Sequence, residues 1–164
     1  MDARAQDSAA ADTAERELTI RRTFNAPRAL VFRAWTEPQL LAQWSCPRGF
    51  TMRENRGELR VGGEFYACMR SPEGQDHRMA GVYREIVPPQ RLVFTHTWLD
   101  ESGTPGPQTL VTVTLTEHNG RTEMTFHQGI FATVASRDGH KDGWTSCFEL
   151  LTELLAALPR DAAA

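Results

Sequence analysis

The run Lys141-Asp142-Gly143-Trp144-Thr145-Ser146-Cys147-Phe148-Glu149-Leu150-Leu151-Thr152-Glu153-Leu154-Leu155-Ala156-Ala157-Leu158 decides the architecture. Within it Trp144, Cys147, Phe148, Leu151, Leu154, Leu155 and Leu158 recur at i, i+3, i+4, i+7, i+10, i+11 and i+14, one face of an amphipathic helix. At about 1.5 Å per residue the run spans about 27 Å, enough to cross a whole curved sheet. Pro159 stops it, because proline cannot continue the hydrogen-bond ladder, and residues 159–164 read as a frayed end. An apolar face of this length has to be covered, and the preceding residues supply a sheet to cover it.

After Gly49 the chain reads as β for most of its course, in short alternating runs divided by turn signals. Phe65, Ala67 and Met69 alternate with Glu64, Tyr66, Cys68 and Arg70, and Ser71-Pro72-Glu73-Gly74 turns the chain. A run from Met79 to Val87 closes at Pro88-Pro89. Leu92, Phe94, His96 and Trp98 then share one face of a strand, and Asp100 to Gln108, rich in Gly and Pro, reads as a loop. Val111, Val113 and Leu115 alternate with threonines, Asn119-Gly120 signals a hairpin, and Met124, Phe126 and Gln128 lie on the return strand.

Ahead of the sheet, Leu18 and Ile20 alternate with Thr19 and Arg21 in a first strand that Phe24-Asn25-Ala26-Pro27 ends. Leu30, Val31, Ala34 and Trp35 predict a helix over 27–36. Thr36-Glu37-Pro38 starts a second, carrying Leu40, Leu41 and Trp44. The order β-α-α-β6-α is an α+β pattern, with helices on one side of an antiparallel sheet.

The chain has 164 residues, 18 Lys plus Arg against 21 Asp plus Glu, and 40% hydrophobic residues. A chain of this size buries roughly 68–70% of its unfolded surface, so one domain needs no disulfide or metal to hold it. Residues 17–158 are expected to form that domain, with residues 1–16 as a mobile tail. A net charge of −3 without clustered cations argues against nucleic acid and anionic membrane as partners. No stretch reaches the ~20 apolar residues of a membrane span and no signal peptide is evident, so the expected compartment is the cytoplasm. Cys46, Cys68 and Cys147 are widely spaced and read as free thiols.

Sequence signatures of nucleotide binding, of hydrolase nucleophiles and of metalloproteases are missing. The histidines at 77, 96, 118, 127 and 140 show no ligand spacing, and neither a metal nor a cofactor is expected. His96, between Phe94 and Trp98, is either a satisfied core histidine or a polar anchor for a ligand. Trp44, Phe65, Met69, Phe94, Trp98, Met124, Phe126, Trp144 and Phe148 fall on predicted inner faces. A sheet curling round one helix leaves space that such side chains need not fill, and Gln128, Thr145 and Cys147 supply polar groups there. Gly139 and Gly143 either mark a late helix start or open room at the cavity mouth. Cys147 is expected to be an inert buried thiol, and Cys46, in a loop beside Arg48, the more reactive one.

The segment Arg22-Thr23-Phe24-Asn25-Ala26-Pro27-Arg28-Ala29-Leu30-Val31-Phe32-Arg33-Ala34-Trp35-Thr36-Glu37-Pro38 resembles the opening of the activator of heat shock protein 90 ATPase homologue-like family. The similarity continues through Gly62-Gly63-Glu64-Phe65, Gly81-Val82-Tyr83-Arg84-Glu85-Ile86, Pro88-Pro89-Gln90-Arg91-Leu92-Val93 and Gly143-Trp144. The resemblance implies the START-like, or polyketide cyclase-like, helix-grip fold, a curved antiparallel sheet gripping the C-terminal helix round a hydrophobic cavity. One departure is Ser45-Cys46 after Trp44, where family members carry a second Trp and a Gly, which alters the local cavity wall.

These readings favour a binder over an enzyme. Its expected ligand is a small apolar or aromatic molecule held by Trp44, Phe65, Met69, Phe94, His96, Trp98, Phe126, Gln128, Trp144, Cys147 and Phe148. The alternatives are co-chaperone-like stimulation of a chaperone ATPase and a cyclase- or hydrolase-type enzyme using His96 with a carboxylate partner. A homodimer is left open.

Overall fold

The computed structural model describes residues 12–160, and what is expected of residues 1–11 and 161–164 lies outside the described residues. The elements are β1 (Leu18–Phe24), α1 (Arg28–Thr36), α2 (Pro38–Trp44), β2 (Thr51–Gly57), β3 (Glu64–Arg70), β4 (Asp76–Val87), β5 (Arg91–Leu99), β6 (Pro105–His118), β7 (Arg121–Gly129) and α3 (Val134–Ala157). This is the expected α+β order. The strands form one antiparallel sheet in the order β1-β7-β6-β5-β4-β3-β2, with α3 packed across it in a helix-grip arrangement. Because β1 and β2 are opposite edges, the segment carrying α1 and α2 has to traverse the full width of the sheet.

Local chemistry sets the element ends. Pro27 opens α1 without a side-chain cap, and the Glu117 carboxylate accepts from the Arg28 amide at 2.8 Å instead. Asn119 and Gly120, at φ 54° and 75°, take the left-handed conformations that a two-residue β6–β7 hairpin requires. The Asp100 carboxylate accepts from the Ser102 and Thr104 amides at 3.0 and 2.8 Å, closing a short turn. As a result β6 starts at Pro105, inside the stretch expected to be loop. The register shift between Thr97 and Leu99 lets prolines sit there without breaking the ladder.

The largest difference from expectation is the start of α3, at Val134 and not near Lys141. Thr133 caps it, its side-chain oxygen accepting from the Ser136 amide at 3.0 Å. The first turns lack an apolar stripe, so periodicity does not reveal them. Gly139 and Gly143 are both helical, and the helix accepts the ~1 kcal/mol that each costs. At 24 residues α3 spans about 36 Å. Two side chains flanking residues 17–158 bond to this core: the Arg16 guanidinium donates to Phe131 O at 3.2 Å, and that of Arg160 to Gly120 O at 2.7 Å. Long polar side chains of this kind carry no periodic signal.

Phe24 of β1, Val111 and Leu115 of β6, Phe126 of β7, and Phe148 and Leu151 of α3 belong to one buried cluster. Each fully buried side chain of this size contributes roughly 1.5–3 kcal/mol. The cluster also takes in Leu30, Val31 and Trp35 of α1 and Trp44 of α2, and extends to Leu92 and Phe94 of β5 and Tyr83 of β4. Along β3, β4 and β5, the N-terminal part of α3 leaves space.

Candidate functional site

Two adjoining cavities lie there, one under α3 and the other under α1 and α2, partitioned by Ser45, Met79, His96 and Trp144, which line both. The smaller, about 120 Å³, is walled by Trp35, Leu41, Phe65, Tyr83, Leu92 and Phe94. The larger, about 310 Å³, is walled by Met69, Trp98, Gly139, His140, Gly143 and Cys147. Strand alternation puts these residues in place. Leu92, Phe94, His96 and Trp98 run in turn along β5 from the smaller chamber to the larger, and Phe65, Ala67 and Met69 line them from β3, on the far side of β4. On β4, Met79 and Tyr83 flank Gly81, where a Cβ would overlap the Thr95 carbonyl oxygen and the Phe65 ring. From α3, His140, Gly143, Trp144 and Cys147 stand at i, i+3, i+4 and i+7.

Of the residues expected from sequence, Phe65, Met69, Phe94, His96, Trp98, Trp144 and Cys147 line the chambers. Trp44, Phe126, Phe148 and Gln128 do not, each being fully buried behind them. Trp44 clasps α1 to α2, its indole N–H donating to Ala34 O at 2.9 Å and its ring edge-on to Trp35 at 4.7 Å. Phe126 and Phe148 back Trp144 at ring distances of 4.7 and 5.6 Å. The Gln128 side-chain oxygen accepts from Trp144 Nε1 at 2.8 Å, and its NH2 donates to Thr109 Oγ1 at 2.9 Å. Gln128 therefore fixes the wall without being part of it. Thr145 lines neither chamber.

Cys46 corrects another expectation. It is 5% exposed, its thiol turns toward Phe50 O at 3.8 Å, and burial pushes the thiol pKa up, so it is not the reactive cysteine. Cys147 is buried as expected; burial, reinforced by nearby Cys46, pushes its pKa up as well. All three cysteines are free thiols.

Sequence reasoning missed Met79, Tyr83 and His140. Met79, Gly81 and Tyr83 do show the i, i+2, i+4 pattern of an inward face, with the glycine interrupting it. His140 lies four residues before Trp144, so it joins the inner stripe once the helix is extended through Gly143.

The two chamber histidines are both fixed by their partners. His140 Nε2 accepts from Trp98 Nε1 at 2.8 Å and Nδ1 donates to Ser136 O at 2.7 Å, which assigns the Nδ1–H tautomer. His96 is 4% exposed, with Nε2 at 3.1 Å from Met79 Sδ. A thioether only accepts, so Nε2 carries the proton and Nδ1 the lone pair. Burial, assisted by the His140 ring beside it, pushes the His96 pKa down to about 3, so the ring is neutral at physiological pH. No carboxylate lines either chamber, and the smaller has one charged group, Arg56. The carboxylate partner that the catalytic alternative requires is therefore not found in the chamber walls. Among the described residues, no group of three His, Cys, Asp or Glu could hold a metal ion. The arrangement suits holding and orienting an apolar molecule.

Solved structures share this fold. A protein from Nitrosomonas europaea is 30% identical, with a TM-score of 0.75 over 92% of this chain and 99% of the other. One from Chromobacterium violaceum is 28% identical, with a TM-score of 0.78 over 85% and 96%. An AHSA1 protein from Silicibacter pomeroyi is 25% identical, with a TM-score of 0.77 over 85% and 97%. Comparison with curated proteins returns no match. Residues 25–156 match the family described as Activator of Hsp90 ATPase homolog 1-like protein, a span that runs from the turn before α1 almost to the end of α3. The chain belongs to that family.

Proposed function

We propose that the protein binds a small apolar or aromatic molecule in the paired chambers, above all in the larger one between sheet and C-terminal helix. The observation behind this reading is the larger chamber, about 310 Å³, walled by Trp98, Trp144, Met69 and Met79. Ligand pockets start near 300 Å³ and are mostly apolar with a few placed polar groups, here His96 and His140. Two methionines suit irregular ligands, since thioethers adapt their shape and contact aromatic rings favourably. Gly139 and Gly143 add no side chain to the helix side of the wall, beside Ser136, His140, Trp144 and Cys147, which do.

The test is titration of purified protein with a panel of mono- and bicyclic aromatics, read by tryptophan fluorescence, with native mass spectrometry of the protein as purified. Saturable quenching at one ligand per chain, weakened by Trp144→Ala, is expected. Absence of saturable quenching across the panel overturns the reading. The family description supports a second reading, stimulation of a chaperone ATPase through surface contacts. That reading predicts stimulation by the purified chain that Trp144→Ala leaves intact.

A further inference from the structure

We infer that the larger chamber selects neutral ligands that donate a hydrogen bond and discriminates against carboxylates of the same shape. The inference rests on the binding reading above and assigns the chemical class of ligand.

It follows from which polar atoms are already engaged. The indole N–H groups of Trp98 and Trp144 donate to His140 Nε2 and Gln128 Oε1, both at 2.8 Å. His140 Nδ1–H donates to Ser136 O at 2.7 Å, and the Ser45 hydroxyl to Leu41 O at 2.6 Å. His96 Nε2–H is directed at the Met79 thioether. The donors left on the chamber wall are the half-buried Ser136 hydroxyl and the weak S–H of Cys147. Acceptors remain available: the sulfur of Met69, the aromatic faces, and Nδ1 of His96.

The ring that carries this nitrogen lines the void. Among the described residues, the buried side-chain nitrogens without a hydrogen-bond partner are Trp35 Nε1 and Arg137 Nε, the latter ion-paired with Asp138 Oδ1 at 2.7 Å. His96 Nδ1 is not one of them, receives no hydrogen bond from the protein, and belongs to a ring lining both chambers. The larger chamber is thus an acceptor surface without a charged side chain. A hydroxyl or ring N–H satisfies Nδ1 and itself. A carboxylate would surrender its hydration and find neither a cation nor a strong donor.

The probes are naphthalene, 2-naphthol and 2-naphthoate, titrated calorimetrically into the full chain. An apolar cavity of about 150 Å³ holds benzene, so bicyclic probes suit the larger chamber. 2-Naphthol is expected to bind about fivefold tighter than naphthalene, the yield of one ordinary hydrogen bond. 2-Naphthoate is expected to bind at least about 100-fold more weakly than 2-naphthol. His96→Phe should bring the ratio of 2-naphthol to naphthalene affinity from about fivefold down to about one, whatever it does to each affinity alone. Imidazole 15N shifts provide a readout without substitution: an unprotonated His96 Nδ1 that moves with 2-naphthol and not with naphthalene. Equal affinity for naphthalene and 2-naphthol, tight binding of 2-naphthoate, an advantage that survives His96→Phe, or a protonated Nδ1 each overturns the selectivity while binding itself stands. If naphthalene does not bind at all, the chamber reading falls with it.

Discussion

Replacing Gln128 by Leu tests the inference that this residue supports the cavity wall from behind. Gln128 is fully buried and joins two neighbours, accepting from Trp144 Nε1 at 2.8 Å and donating to Thr109 Oγ1 at 2.9 Å. Gln128→Leu keeps nearly the same volume and removes both hydrogen bonds, worth about 1 kcal/mol each net. It also strands the Trp144 N–H, which is only partly buried and therefore adds at the low end of the 1–3 kcal/mol range for an orphaned polar group. The expected loss is about 2–3 kcal/mol. Trp144→Phe strands the Gln128 oxygen instead and should cost a similar amount. In the double variant no polar atom of that pair is left unmatched, so the two effects should fall short of additivity by about 1–2 kcal/mol. Urea unfolding followed by far-UV circular dichroism measures all four proteins, because tryptophan fluorescence changes with the substitution itself. Additivity within about 0.5 kcal/mol would refute the pairing.

Gly81→Ala should destabilise by about 3 kcal/mol, since the new methyl group meets the Thr95 backbone and the Phe65 ring; an unchanged urea midpoint contradicts the close approach. Gly139→Ala should do the opposite and stabilise by about 1 kcal/mol, because the position is helical with no neighbour within 4 Å; calorimetric unfolding decides the sign. His96 contributes to the acid limb of stability. Below its ordinary value of 6.5 the unfolded chain takes up a proton that the folded ring refuses down to about 3. Stability therefore falls with falling pH across that window, by about 1.4 kcal/mol per pH unit from this group. His96→Phe should show a correspondingly shallower slope between pH 6 and 4, and equal slopes would be evidence against the buried neutral ring. Iodoacetamide at pH 8 should leave Cys147 unlabelled in the native protein and label it in urea, read by peptide mass; native labelling at the denatured rate contradicts its burial.

Much of the molecule was legible from periodicity, because period-2 and period-3.6 patterns record which way each side chain points on its own element. The stripe from Trp144 to Leu158 and the alternation of Leu92, Phe94, His96 and Trp98 were enough to predict a sheet covered by one long helix. They were also enough to put His96 on the inner face. Capping and turn chemistry is less visible: Thr133 starts α3 well before its apolar stripe, and Asp100 closes a turn that shortens the expected loop.

Inward direction and cavity lining are different properties, and the chain order reports only the first. Phe126 and Trp98 both point inward, yet Phe126 meets Trp144 at 4.7 Å in solid packing while Trp98 faces open space. What separates them is the gap between two surfaces, α3 and the sheet, whose residues lie far apart in sequence. The gap is closed along β1, β7 and β6 and open along β3 to β5. The same reason hid the pairing of His96 with Met79 and of Trp98 with His140, contacts across strands and between strand and helix that no local spacing records. The element order and the inner faces were written in the local pattern of residues. Which inner residues meet a void, and which polar atoms remain free to greet a ligand, came from the distances that folding sets between them.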